Sequence, residues 1–147
     1  MMWPIPSFWI IDTGESVLKK RAHKNQPHFG VDIHCHAGTP VLAAAAGTVI
    51  AVVDGRKSSK VETRAAGLFV EIDDNKEYIF RYLHLGECAV STGQTATEGL
   101  YLGTVADAHT SGLGNRPHLH FEIRRRTTGG GIGAAVDPLR LLPARRA

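Results

Sequence analysis

Arg116-Pro117-His118-Leu119-His120-Phe121-Glu122-Ile123 is the stretch on which the reading of this chain turns. Two histidines flank one apolar residue inside a run that alternates. On a β-strand, successive side chains point to opposite faces, so His118 and His120 stand side by side on one face, with Leu119 and Phe121 on the other. One imidazole of such a pair can hold a metal ion while its neighbour reaches a group bound to that ion. A second cluster, His28-Phe29-Gly30-Val31-Asp32, lies far upstream and admits the same strand geometry.

Around these clusters the chain reads as short strands between sharp turns. Residues 30–33 form one short strand, and residues 47–53 a clear β-run closed by the turn signal Asp54-Gly55. Residues 67–73 and 78–85 are joined by Asp74-Asn75-Lys76-Glu77, which predicts a hairpin. Residues 119–124 make a further strand. Residues 56–66 are polar and mixed and read as a loop. The glycine cluster in 127–133 reads as mobile unless other residues pack over it. Residues 139–142 are expected to make one helical turn. Residues 1–27, with prolines at 4, 6 and 27, are expected to be irregular and to pack on the rest. No segment carries a long 3.6-residue apolar period. The fold class is therefore mostly β, a twisted antiparallel sheet of short strands with few or no helices. Residues 1–147 suit a single domain with a hydrophobic core.

Bulk properties narrow the function. The 17 Lys and Arg against 14 Asp and Glu leave a formal charge of +3, too mild to argue for nucleic acid. The opening Met-Met-Trp-Pro-Ile-Pro lacks a basic segment followed by a clean apolar one, so no signal peptide is recognised, and no stretch is long enough to span a membrane. Cys35 and Cys88 permit one disulfide or two free thiols, too few for a disulfide scaffold. The absence of a Cys-x-x-Cys pair argues against a thiolate zinc finger.

The candidate metal ligands are His28, Asp32 and His120. One carboxylate and two imidazoles suit zinc and leave a fourth position for water. On a straight strand, however, His28 and Asp32 would lie roughly 13 Å apart at about 3.3 Å per residue, too far for one ion. They converge only if the chain bends or bulges at Phe29-Gly30-Val31, which Gly30 permits.

Taken in order, five motifs resemble those of the lysostaphin/LytM-type zinc metallopeptidases, the M23 family. They are His28-Phe29-Gly30-Val31-Asp32-Ile33, Gly38-Thr39-Pro40-Val41, Ala46-Gly47-Thr48-Val49, Tyr82-Leu83-His84-Leu85 and His118-Leu119-His120-Phe121-Glu122. That family pairs His-x-x-x-Asp with a distant His-x-His, and the resemblance covers residues 28–53, 67–103 and 118–138. It implies an antiparallel sheet with a groove, one Zn2+ held by His28, Asp32 and His120, and two catalytic histidines that are not ligands, His84 and His118. His118, the strand neighbour of a ligand, is expected to be the base, and His84 to steady the oxyanion. The implied reaction is hydrolysis of peptide bonds in bacterial peptidoglycan, in stem peptides or cross-bridges. The implied setting is the cell wall, reached through other machinery, a phage origin or a missing leader. A monomer is expected.

Other residues receive lesser roles. His34 and His36 share strand parity with Asp32, but the motif does not require them, so they are expected to be structural or exposed. Cys35 falls on the opposite face and is expected in the core. His23 and His109 are expected to be exposed, and Arg21 is a candidate substrate contact. Residues 103–116 depart from the family's Gly-x-x-Gly-x-Thr-Gly run and read as a longer loop, which bears on substrate preference. The rival reading is a catalytically inactive relative that binds cell wall or regulates an amidase. Such relatives lose metal ligands, whereas all five polar residues are present here. A lipoyl- or biotinyl-type carrier would use a lysine on a tight turn, as Lys76 is, but would leave the histidine clusters unexplained.

Overall fold

The alternating runs assemble into a ten-stranded antiparallel sheet beside a separate two-stranded one. The computed structural model describes residues 1–13, 20–21, 24–107 and 116–144. In chain order the elements are β1 (Asp12–Thr13), β2 (Lys20–Arg21), β3 (Lys24–Pro27), β4 (Val31–His34), β5 (Pro40–Leu42) and β6 (Gly47–Asp54). There follow α1 (Val61–Ala66), β7 (Leu68–Asp73), β8 (Tyr78–Cys88), β9 (Thr95–Ala96), β10 (Tyr101–Val105), β11 (His118–Arg126), β12 (Ile132–Val136) and α2 (Pro138–Leu141). The main order is β1-β4-β11-β8-β7-β6-β9, with β12 on β11, and β10 between β5 and β8. Strands β2 and β3 pair with each other.

The apolar half of each alternation makes the core. Leu119, Phe121 and Ile123 of β11 are fully buried with Phe80 and Tyr82 of β8, Val70 and Ile72 of β7, and Val31 and Ile33 of β4. Phe121 stacks on Phe80 at 6.2 Å and meets Tyr82 at 5.3 Å between ring centroids. Each such side chain contributes about 1.5–3 kcal/mol relative to exposure. The Tyr82 hydroxyl is not wasted in this apolar setting: it accepts from the Ala44 backbone N–H at 2.9 Å.

The turns obey local chemistry. The Asp74 carboxylate accepts from the backbone N–H groups of Lys76, Glu77 and Tyr78 at 2.8, 2.9 and 3.0 Å, and Asn75 takes φ 62°, closing the β7–β8 hairpin. Asp137 caps α2 by accepting from Leu139 N at 3.0 Å, with Pro138 in the first turn.

Several expectations are corrected. Residues 1–27 are not wholly irregular: they hold a 3-10 turn at Ser7–Trp9 and strands β1 to β3, which owe their assignment to partners rather than to any pattern of their own. Residues 56–66, read as loop, contain α1, a single exposed helical stretch without an apolar face. The glycine cluster leads into β12, which pairs with β11. The turn that joins them is tied by Thr127, whose hydroxyl accepts from Gly131 N at 2.8 Å. Among the described residues no helix is long and apolar enough to cross a membrane.

Candidate active site

Strand β11 carries the site because it is paired on both edges. Its register sets His118 opposite His34 and His120 opposite Asp32 on the β4 side, and His120 opposite Leu83 on the β8 side. Directly opposed residues share a face, so Asp32 and His120 meet, with Asp32 Oδ1 2.9 Å from His120 Nδ1. His28 arrives from outside the strand. It precedes β4, and the chain bends at Gly30, which removes the separation a straight strand would impose. His28 Nε2 lies 3.2 Å from Asp32 Oδ1 and 3.3 Å from His120 Nδ1. Gly30 makes this possible by lying flat on β11: a Cβ there would stand 2.4 Å from the Phe121 carbonyl oxygen.

The three donor atoms form a triangle with sides of 2.9, 3.2 and 3.3 Å. Tetrahedral zinc with ligands at about 2.0–2.1 Å requires donor atoms roughly 3.3 Å apart. The residues therefore fit a single zinc ion. The donor chemistry agrees. His120 Nε2 donates to Glu122 Oε2 at 2.8 Å, so its Nδ1 presents a lone pair to the triangle. Burial opposes ionisation of Asp32, but the contacts with His120 and His28 outweigh it and hold the carboxyl far below the usual range. Burial likewise opposes protonation of His120, and Asp32 and Glu122 outweigh it, so its pKa is raised. Lone pairs converging this closely call for a cation or a proton between them.

His118 stands next to the triangle on the same face. Its Nδ1 donates to the Arg116 carbonyl at 3.0 Å, which leaves Nε2 as the acceptor, 3.6 Å from Asp32 Oδ1. Burial, partly offset by Asp32, lowers its pKa.

His84 reaches the same face by breaking alternation. Strict alternation after Tyr82 would turn His84 into the core. Between the pairs Val70↔Tyr82 and Leu68↔Leu85, β8 spends one more residue than β7, which is a β-bulge. His84 itself has φ 69°, a left-handed conformation that few side chains adopt. Leu83 faces the site, His84 follows it there, and Leu85 returns to the core. The His84 ring lies 5.0 Å from that of His118 and 6.0 Å from that of His120. At the bulge β8 also changes neighbours, from β11 up to Leu83 to β10 from Leu85 onward.

All five expected residues thus come together. Sequence reading assigned no role to Glu122 or Arg81. The parity of Glu122 with His120 was the available signal, and only the β8–β11 register reveals Arg81 opposite it. Burial opposes ionisation of Glu122, but His120, Arg81 and Arg124 hold its carboxyl down to about 2. His34 packs against His118 at 5.5 Å between ring centroids, and His36 is exposed. Cys35 is buried in the core, and both cysteines are free thiols. His23, His109 and residues 108–115 of the atypical loop lie outside the described residues, as does the Arg21 side chain.

A sequence model of peptidase family M23 matches residues 26–138. The chain is 30% identical over 135 residues to an uncharacterized lipoprotein of Escherichia coli, YgeR, covering 92% of this chain and 47% of that one. It is 30% identical over 125 residues to the peptidoglycan DD-endopeptidase ShyA of Vibrio cholerae, covering 82% and 26% respectively. The crystal structure of a zinc-containing peptidase from Vibrio cholerae superposes with a TM-score of 0.74 at 26% identity, over 96% of this chain and 40% of that one. The chain spans less than half the length of these relatives.

Proposed function

Because the chain belongs to peptidase family M23, we propose that it is a zinc-dependent endopeptidase acting on peptide bonds of bacterial peptidoglycan. The observation that carries this reading is the convergence of three metal-donor atoms, His28 Nε2, Asp32 Oδ1 and His120 Nδ1, beside two further imidazoles. The substrate class is taken from the name of the ShyA relative, and the cell wall is the corresponding site of action. Residues 1–147 are read as one peptidase domain.

In this mechanism His28, Asp32 and His120 hold the ion. When bound, zinc supplies a Lewis acid that polarises the scissile carbonyl and acidifies water. His118 Nε2 accepts the proton of the attacking water, and the Arg116 carbonyl keeps the other ring nitrogen protonated so that Nε2 is the basic one. The same proton then passes from Nε2 to the departing amine as the C–N bond breaks. His84 donates a hydrogen bond to the carbonyl oxygen as negative charge develops there. Its strained backbone fixes that donor before substrate arrives.

The test is digestion of purified peptidoglycans that differ in cross-bridge chemistry, with fragments identified by mass. The expected result is new amino termini at one class of bond, abolished by EDTA and restored by zinc. Activity that survives complete zinc removal refutes the mechanism, and no cleavage of any peptidoglycan by zinc-loaded protein refutes the substrate class.

A further inference from the structure

Glu122 is 3% exposed, yet it is a carboxylate. A buried carboxylate persists only where its oxygens are satisfied, and here the two oxygens have different partners. Oε2 accepts from His120 Nε2 at 2.8 Å. Oε1 accepts from Arg124 Nε at 2.6 Å and from Arg81 Nη1 at 3.1 Å. Each arginine is in turn anchored elsewhere. Arg81 Nε donates to Glu71 at 2.6 Å, and Arg124 Nη1 donates to the Gly133 carbonyl on β12 at 3.1 Å. The registers Glu122↔Arg81 and Glu71↔Arg81 set these groups in a row across β11, β8 and β7.

We propose that Glu122 is a positioning residue that fixes His120 in its metal-binding tautomer, and that Arg81 and Arg124 hold Glu122 in place to do so. A neutral imidazole carries one ring proton. With Glu122 Oε2 facing Nε2, that proton belongs on Nε2, and Nδ1 keeps its lone pair toward Asp32 and His28. With an ion in the triangle, the opposite tautomer would aim a proton at that ion and a lone pair at the buried Glu122 carboxylate. A carboxylate behind a ligating histidine also raises the basicity of the ligating nitrogen. The two arginines take only Oε1, which leaves Oε2 for the histidine. The inference rests on the metal site proposed above.

The experiment uses the full chain with zinc alone as probe, in native protein and in Glu122→Leu, Glu122→Gln and His120→Ala variants. Zinc affinity is read by competition with a chromophoric chelator, and the His120 tautomer by ring 15N chemical shifts of metal-free protein at a pH above the raised pKa of the ring, where the imidazole is neutral. Native protein should show the Nε2–H tautomer. Glu122→Leu should shift the ring toward Nδ1–H and weaken zinc binding about 10- to 100-fold. Glu122→Gln, which keeps an acceptor oxygen but no charge, should keep the tautomer and lose affinity by less. Native affinity together with an unchanged tautomer in Glu122→Leu overturns the proposal. Should that variant not fold, the Gln variant decides by affinity: several-fold weaker binding supports the role and equal binding overturns it. Zinc binding unchanged in His120→Ala would sink the metal site itself, and the tautomer comparison would still decide what Glu122 does.

Discussion

Adding one methyl group at Gly30 should disable the site from a distance. In Gly30→Ala the new Cβ would stand 2.4 Å from the Phe121 carbonyl oxygen and 2.9 Å from Glu122 Cγ. Ordinary contact begins near 3.4 Å, so the shortfall at the oxygen is about 1 Å. That oxygen is poorly placed to yield, because Phe121 is opposed by Val31 on one edge of β11 and by Tyr82 on the other. The displacement therefore falls on the bend and carries His28 with it. His28 Nε2 sits 3.2 and 3.3 Å from its two companion donors, so a shift of this size removes it from the triangle. Overpacking of this kind costs about 1–3 kcal/mol, and a misplacement of about 1 Å in a catalytic constellation costs roughly 100-fold in rate. Urea denaturation followed by circular dichroism measures the first effect, and chelator competition for zinc together with peptidoglycan turnover measures the second. A Gly30→Ala protein within about 0.5 kcal/mol of native stability, the range of innocuous surface changes, and with native zinc affinity would refute the argument that close packing on β11 sets the ligand geometry.

Three further outcomes are expected. His118→Ala and His84→Ala should each lower turnover by about 10²- to 10⁴-fold at unchanged zinc content. A variant of either residue with full activity removes that residue from the mechanism. His84→Gly should be as inactive as His84→Ala but more stable, by about 1 kcal/mol, since a left-handed conformation costs an L-residue about 1–2 kcal/mol and glycine's extra unfolded freedom returns part of that. Thermal denaturation that ranks the alanine variant higher contradicts the strain. A thiol reagent at pH 8 should label Cys88 quickly and Cys35 only on unfolding, because burial pushes the Cys35 thiol up to about 11 and leaves it 2% exposed. Equal labelling of the two in native protein would place Cys35 outside the core.

Much of this was legible from periodicity. The parity of His118 and His120, the apolar partners Leu119 and Phe121, and the Asp74 hairpin follow from local rules, and the structure keeps all of them. What local rules could not supply was anything set by a third strand. The His28–Asp32 approach depends on Gly30 lying against Phe121, 91 positions away, a contact no local pattern announces. His84 is a sharper case: alternation points it into the core, and the resemblance to a family motif singled it out without explaining how it arrives. The short strands β1 and β12 exist because β4 and β11 offer them edges, so their own composition says little.

The extra residue in β8 has a consequence of its own. A strand works like a reading frame of period two, and His84 sits where that frame slips by one. Upstream, the frame sends Phe80 and Tyr82 inward; downstream, it sends Leu85 inward. Substitution alone cannot produce such a slip, since it needs an inserted residue, and deletion of one residue from β8 would reverse it. The length of this strand is thus part of the active site, as much as the identity of any side chain on it.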